Sequence, residues 1–266
     1  NQIPSNVPQG KIQMIEKRKR IKFFNCWIDP LTMEETLKCI EAIIQDRIPS
    51  QHVVINVAKL VNMQNDENLK SIVNSCGLIN ADGQGIVWAA KFLNLNIPER
   101  VTGIDLMLNL VKLASEKEYK VYLLGAREEI LKKVVAVFKE EYPNLNIVGY
   151  KDGYFLQLEE KRIVSDIKAS EADILFVAMS SPQKELFLSK HQYAMGVPFV
   201  MGVGGSFDVV AGHVKRAPLW MQKIGLEWFF RFLCEPRRMW KRYLVTNTIF
   251  LFMLLKAVAY RKVTKE

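Results

Sequence analysis

The stretch Leu78-Ile79-Asn80-Ala81-Asp82-Gly83-Gln84-Gly85-Ile86-Val87-Trp88 sets a short strand-like run against an Asp-Gly turn, then opens a helical pattern that continues to Leu93. A strand that feeds a helix across so tight a turn is the repeating unit of a layered α/β protein. The same alternation extends in both directions. Upstream, Val53, Val54 and Ile55 read as a buried strand ending at Asn56, and a helix is expected over 58–74. Earlier still, Thr32 with Glu35 three residues on forms a capping box for a helix through Ile44, and residues 21–27 are a short strand candidate. Downstream come a loop over 98–103, a helix over 104–115, a strand over 121–124 broken by Gly125, and a helix over 128–142. Strands follow over 174–179 and 199–203, each closed by Pro or Gly. The prediction is an α/β fold, with a layered, mostly parallel sheet flanked by helices.

Charge divides the chain. Residues 214–266 hold 12 Lys and Arg against three Glu, while the first 213 residues balance 25 against 25, so the tail carries the whole net charge of +9. Trp220, Met221, Leu226, Trp228, Phe229, Phe230, Phe232, Leu233, Trp240 and Tyr243 interleave that charge. Basic side chains beside aromatic ones suit an anionic membrane surface. A basic helix packed on its own body is the plainer alternative. Nucleic acid is not expected as a partner, because no zinc-finger, RNA-binding or helix-turn-helix pattern accompanies the charge. The seven apolar residues at 249–255 fall short of the ~20 needed to span a bilayer. They predict an interfacial helix, a partner-binding helix or the end of the core. The polar start of the chain, with Pro4 and Pro8, has no signal-peptide pattern. Three parts are expected: an N-terminal extension over 1–20, an α/β catalytic domain over 21–213, and a basic amphipathic appendage over 214–266.

Cys26, Cys39, Cys76 and Cys234 are scattered, and His52, His191 and His213 are isolated from them, which predicts neither a disulfide framework nor a structural metal site. A reducing compartment fits. In a parallel sheet, ligands bind beyond the carboxyl ends of the strands. That rule selects Asn56, Asp82-Gly83, Gly125, the run Ser180-Ser181-Pro182-Gln183-Lys184-Glu185, and Gly202-Val203-Gly204-Gly205. Asp82, on a tight turn, is the candidate general base, with a helix N-cap as its structural alternative. The glycines at 125 and 202–205 could aim backbone N–H groups at a phosphate, or simply serve their turns. Neither matches a dinucleotide or P-loop fingerprint. No acidic pair suggests a divalent cation, so a diphosphate leaving group would need Arg100, Arg216, Arg231, Arg237, Arg238 or Arg242 in place of metal.

Taken in order, several segments resemble the WecG/TagA/CpsF family of bacterial glycosyltransferases, glycosyltransferase family twenty-six. They are Asn56, Ala81-Asp82-Gly83-Gln84-Gly85, Glu99-Arg100-Val101-Thr102-Gly103-Ile104-Asp105, Leu124-Gly125, Gly149 with Gly153-Tyr154-Phe155, Ala172-Asp173-Ile174 and Pro182-Gln183-Lys184-Glu185. The likeness continues through Gly202-Val203-Gly204-Gly205-Ser206-Phe207-Asp208, Gly212, Arg216-Ala217-Pro218, Gly225-Leu226-Glu227-Trp228, Arg231, Glu235-Pro236-Arg237-Arg238 and Arg242-Tyr243.

The resemblance implies an inverting, metal-independent enzyme without a cofactor. It would move a sugar, often N-acetylmannosamine, from a UDP-sugar to a sugar carried on undecaprenyl diphosphate. Such enzymes act peripherally at the cytoplasmic membrane face, in teichoic acid, capsule or other surface polysaccharide synthesis. Asp82 would be the catalytic base, and Arg100, also catalytic, would support the donor site or its phosphates. Asn56, Gly83, Gly125, Tyr154, Gln183, Lys184, Glu185, Gly204, Gly205 and Asp208 would bind the donor. Arg216, Arg231, Arg237, Arg238 and Arg242 would meet the acceptor diphosphate, with Lys241 as a further cation.

Two departures bear on the donor. The usual Pro-Lys-Gln-Glu order is Pro182-Gln183-Lys184-Glu185 here, and the usual Thr two residues before the strand-end Asn is Val54. A cation at Lys184 would favour an acidic sugar such as a uronic acid. The alternatives are transfer of glucose or glucuronic acid in exopolysaccharide assembly, and a non-catalytic nucleotide-sugar-binding scaffold. Lipid, the body of the protein, or a second subunit in a homo-oligomer would each cover the apolar tail.

Overall fold

The computed structural model describes residues 19–263, apart from the side chains of Arg238, Arg242 and residues 260–263. Most of the expected N-terminal extension therefore lies outside the described residues. The chain opens with an antiparallel hairpin, β1 (Ile21–Phe23) and β2 (Cys26–Ile28). A single strand was expected over this stretch. Phe24, at φ 53°, turns the chain back on itself there.

Six parallel strands form the main sheet: β3 (Ser50–Ile55), β4 (Leu78–Ala81), β5 (Lys120–Gly125), β6 (Asn146–Lys151), β7 (Ile174–Ala178) and β8 (Phe199–Gly202), in the order β4-β3-β8-β7-β5-β6. All six run parallel, as the near-continuous apolar runs predict. β3 and β4 fill one side and β5 and β6 the other, while β7 and β8 close the middle. The carboxyl ends of β3, β4 and β8 therefore lie side by side, although β8 follows the other two by more than 100 residues in sequence.

Alternation along the strands builds two faces. Val121, Leu123, Ile174, Phe176, Phe199 and Met201 point to one side, where they meet α1 (Met33–Asp46), α5 (Gly103–Lys117) and α6 (Glu128–Glu141). On the other side Tyr122, Leu124, Leu175, Val177 and Val200 pack against α7 (Glu160–Ala169) and α8 (Gln183–Met195). Val53, Ile55, Ile79 and Ala81 continue that face towards α2 (Val57–Asn65), α3 (Glu67–Ser75) and α4 (Gln84–Phe92). Each fully buried Phe, Leu or Ile contributes about 1.5–3 kcal/mol.

Thr32 caps α1 through the expected capping box, with its hydroxyl accepting from the Glu35 N–H. The helix expected over 58–74 is two helices, because the Asp66 carboxylate leaves the first and caps the second at the Leu69 N–H. The sequence reading missed β6 and α7. β6 is an edge strand with only partial burial, so it lacks a continuous apolar signal.

The basic segment is helical: α9 (Ser206–Val210) precedes it, and α10 (Leu219–Lys223), α11 (Glu227–Cys234) and α12 (Pro236–Val263) form it. Within α12, Phe250, Met253, Leu254, Ala257 and Val258 make an i, i+3, i+4, i+7, i+8 stripe that packs on the cluster beside α2. Phe250 meets Phe24 of the hairpin edge to face, at 6.1 Å between ring centres. Among the described residues α12 also holds one segment, Met239–Ala259, long and apolar enough to cross a membrane by length and composition. The apolar stretch is thus longer than the seven-residue run suggested, because helix continuity joins Trp240, Leu244 and Val245 to it.

The isolated histidines have local partners or lie on the surface. His52 is buried between strands, 3.0 Å from the Asn80 amide oxygen, and burial pushes its imidazole down to about 4. Cys26, Cys39, Cys76 and Cys234 are all free thiols.

Candidate active site

Asp82 stands one residue beyond β4, and the backbone holds it from both sides. Its N–H donates to the Ile55 carbonyl at the end of β3 (2.8 Å), and the Val101 N–H donates to the Ala81 carbonyl (2.9 Å). The second bond brings Arg100 and Thr102 to Asp82 from 18 and 20 residues away. Asp82 is not the cap of the helix that follows it: Gly83, at φ 98°, occupies that position without a side-chain bond. Its carboxylate instead accepts from the Gly103 N–H, in the first turn of α5.

Burial does most to raise the Asp82 carboxyl, to about 6, and Glu227 adds to the rise; Arg100, Arg231 and the Gly103 N–H pull the other way. A carboxylate poised near 6 is mostly ionised at neutral pH, yet more basic than an ordinary Asp, which suits a general base.

The appendage reaches this carboxylate. Arg100 donates to the Gln222 carbonyl (3.3 Å) and lies 3.6 Å from Glu227 Oε2. Arg216 Nε lies 3.6 Å from Glu227 Oε1, and Arg216 also donates to Asp105 Oδ1 (2.6 Å). Asp105 in turn accepts from the Thr102 hydroxyl (2.5 Å), which caps α5. Residues from the body and from α10 and α11 therefore make one connected set.

Close packing confirms the approach. Gly225 is buried at φ 78°, and a Cβ there would lie 2.5 Å from Cβ and Cγ of Gln84, two residues after Asp82. Gly225→Val is accordingly expected to push the appendage off the Asp82 turn and lower kcat/KM by roughly 10- to 100-fold. The check is steady-state turnover beside a melting curve. A variant as active as wild type would show that the contact does not hold the site.

A second constellation lies at the ends of β3, β7 and β8. Asn56 caps α2, accepting from the Lys59 N–H at 2.9 Å. Lys59 Nζ lies 2.8 Å from Glu185 Oε1, and Lys184 Nζ lies 3.4 Å from the same oxygen. Glu185 is 1% exposed, buried at the start of α8. Burial tends to raise its carboxyl, but Lys59 and Lys184 outweigh that and hold it below its ordinary value. The stem of Lys184 runs under the loop after β8: a Cβ on Gly202 would lie 2.6 Å from its Cδ, and one on Gly204, at φ 55°, 3.8 Å from its Nζ. Gln183 is exposed at the start of α8 and accepts from the Ser180 hydroxyl (2.8 Å).

Gly205 and Asp208 adjoin at α9: a Cβ on Gly205 would lie 3.7 Å from Asp208 Oδ2. Gly125, at φ 115°, crosses the backbone of Ala178 so closely that a Cβ would meet its carbonyl at 2.5 Å. That crossing explains its glycine. Tyr154 is exposed beyond β6. Arg231 and Arg237 are exposed on α11 and α12. The side chains of Arg238 and Arg242 lie outside the described residues.

Comparison with known proteins agrees with this arrangement. The model of the glycosyl transferase WecG/TagA/CpsF family matches residues 21–264, which includes the body, the Asp82 turn and the appendage. The chain belongs to this family. Like the family it is a glycosyltransferase. One relative is the N-acetylglucosaminyldiphosphoundecaprenol N-acetyl-beta-D-mannosaminyltransferase of Bacillus subtilis (strain 168), 36% identical over 180 residues, or 67% of this chain and 69% of the relative. The protein of the same name from Bacillus spizizenii (strain ATCC 23059 / NRRL B-14472 / W23) is 36% identical over 183 residues, 68% of this chain and 69% of the relative.

In this WecG/TagA/CpsF chain, sequence reasoning singled out Asp82, Arg100, Arg216 and Arg231, and the structure gathers them. It did not single out Glu227, Asp105 or Lys59. Glu227 and Asp105 stood inside motifs quoted for the resemblance, but nothing local marked the pairs Arg100–Glu227 and Asp105–Arg216, whose members lie more than 100 residues apart. Among the described residues no three His, Cys, Asp or Glu side chains cluster as metal ligands would.

Proposed function

We propose that this glycosyltransferase moves N-acetylmannosamine, or a closely related neutral sugar, from a UDP-sugar to N-acetylglucosaminyl-diphosphoundecaprenol. The observation that carries the reading is the Asp82 carboxylate, raised to about 6 and bracketed by Arg100 of the body and Arg231 of the appendage. The names of the Bacillus relatives supply the sugar and the acceptor.

In this reading the acceptor hydroxyl oxygen attacks the anomeric carbon from the face opposite UDP. Asp82 takes the hydroxyl proton as the new C–O bond forms. The bond to UDP breaks with its electron pair leaving on the diphosphate, so the anomeric configuration inverts. Arg100 and Arg231, with Arg216 behind them, compensate the developing charge, which is why transfer without a metal is part of the proposal. Asn56, Gly83, Gln183, Gly204, Gly205 and Asp208 at the strand ends, with Tyr154 at the rim, would receive the donor. Lys184 turns towards Glu185 beneath the loop, which supports a neutral donor over a uronic acid.

Trp220, Trp228, Leu233, Trp240 and Leu244 are exposed beside Lys223, Arg231, Arg237 and Lys241. That combination supports peripheral binding at an anionic cytoplasmic leaflet, where the lipid acceptor resides. One stripe of α12 packs on the body, and Lys241 and Lys256 interrupt its apolar run, both of which favour a helix lying on the membrane over one crossing it.

The test is UDP release from a panel of UDP-sugars with the lipid-diphosphate GlcNAc acceptor in detergent, with and without EDTA. UDP-N-acetylmannosamine is expected to turn over, unaffected by the chelator. Release only from a uronic-acid donor would overturn the donor assignment, and loss of turnover in EDTA would overturn the metal-free step.

A further inference from the structure

Glu227 opens α11, on the appendage, and its carboxylate spans two arginines that belong to different parts of the molecule. Oε2 lies 3.6 Å from Arg100, on the loop ahead of α5, and Oε1 lies 3.6 Å from Arg216, on the segment leading into α10. Its side chain is only 18% exposed, so the two contacts are poorly screened. Arg216 continues to Asp105 at 2.6 Å, and Asp105 to Thr102 at 2.5 Å. The helix capped by Thr102 is the one whose Gly103 N–H meets Asp82. Gly225, two residues before Glu227, packs on Gln84. Glu227 is thus held to the Asp82 turn from two sides, where its negative charge acts on both the arginines and the Asp82 carboxylate.

We propose that Glu227 is a positioning residue: it fixes Arg100 and Arg216 around the reacting centre and, from the appendage, sets the basicity of Asp82. The appendage then does more than bring arginines to the diphosphate. Its docking makes Asp82 a competent base, so proton transfer is coupled to the docked position in which the acceptor is also met.

The charged groups around Asp82 fit that role. Arg100 and the Gly103 N–H face it from the body, and Arg231 and Glu227 from α11; Glu227 itself faces Arg100 and Arg216, and Asp105 lies beyond Arg216. Of these, Glu227 is the carboxylate acting to raise Asp82. Removing its charge also leaves Arg100 and Arg216 uncompensated. Both changes favour ionised Asp82, so both move its titration to lower pH.

This inference rests on Asp82 being the base. The experiment uses the full chain and follows kcat/KM for UDP release between pH 5 and 8.5 in wild type, Glu227→Gln, Glu227→Asp and Asp82→Asn. Glu227→Gln is expected to shift the acid limb to lower pH and to lower the plateau on the order of 10-fold through lost positioning. Glu227→Asp keeps the charge on a shorter arm, so its limb stays at the wild-type position while its plateau falls. A merely structural role would lower the plateau in both variants and move neither limb, which overturns the proposal. If Asp82→Asn retains turnover, the base lies elsewhere and the proposal falls with it. If Asp82→Asn is inactive and the Glu227→Gln limb stays in place, the assignment of Glu227 alone is overturned. Melting curves identify an unfolded variant; where Glu227→Gln does not fold, Glu227→Ala, which also removes the charge, is expected to show the same shift of the limb to lower pH, and an unmoved limb in that variant overturns the proposal.

Discussion

Asp82→Asn is expected to lower kcat by roughly 10³-fold while leaving donor binding near the wild-type value, because a positioned base contributes about 10²–10⁴-fold to a proton-transfer step. Asn keeps the shape of the side chain but cannot take the acceptor proton. The wild-type kcat/KM profile should show an acid limb near pH 6, where Asp82 titrates, and Asn removes it.

Stability should move the other way. The folded carboxyl titrates near 6 against an ordinary 3.8, so above pH 6 the folded state holds an anion it disfavours. The stability deficit is absent below the ordinary value, grows between about pH 4 and 6, and is constant above. A shift of that size corresponds to on the order of 2–3 kcal/mol. Asp82→Asn should therefore melt at a higher temperature than wild type at pH 7.5 and no higher at pH 4. A variant that keeps wild-type turnover would remove Asp82 from the mechanism. One that is inactive and also less stable at pH 7.5 would show that the carboxylate is structural.

Glu185→Gln is expected to cost the fold about 3–5 kcal/mol, the range found when one partner of a buried ion pair is removed. The variant leaves Lys59 and Lys184 buried without the carboxylate that lies 2.8 and 3.4 Å from them. For a chain of this length the melting temperature should fall by roughly 10 °C. The pH dependence is the reverse of that at Asp82. Because the lysines hold the folded Glu185 carboxyl below its ordinary 4.5, its stabilisation is complete above that value and is lost as pH falls through the folded value. Wild type and Glu185→Gln should thus differ fully at pH 7 and converge in acid. An unchanged melting temperature at pH 7 would mean that the cluster relaxes to solvent. Turnover should suffer too, because the Lys184 stem supports the Gly202–Gly204 turn.

The strands around Asp82 were legible because each is an apolar run closed by a turn residue, and that signal is local. The β4 strand and the helix after it fell within one residue of their expected bounds. α1 was marked by a capping box that involves only Thr32 and Glu35. β6 was hidden because an edge strand needs no continuous apolar face. The break at Asp66 was hidden because the helical pattern runs across it, and the Asp66 cap is decided by which N–H its carboxylate meets. Gly125 and Gln183 were selected as strand-end positions; the structure returns them there, with Gly125 explained by its crossing over Ala178.

Composition, period and turn chemistry determined the α/β class, the parallel sheet, the basic tail and Asp82 as the carboxylate to examine. These depend on residues a few positions apart, where the 2.0 and 3.6 periods and the Asp-Gly turn act without the rest of the chain. Only the tertiary structure decided that Arg100, Arg216 and Glu227 meet, that Lys59 and Lys184 share Glu185, and that the stripe from Phe250 to Val258 packs on the hairpin and α2. Burial turns a sequence of charges into a site. Charges more than 100 residues apart have no fixed distance until the sheet order places them, and their energies depend on that distance and on how much water is left between them.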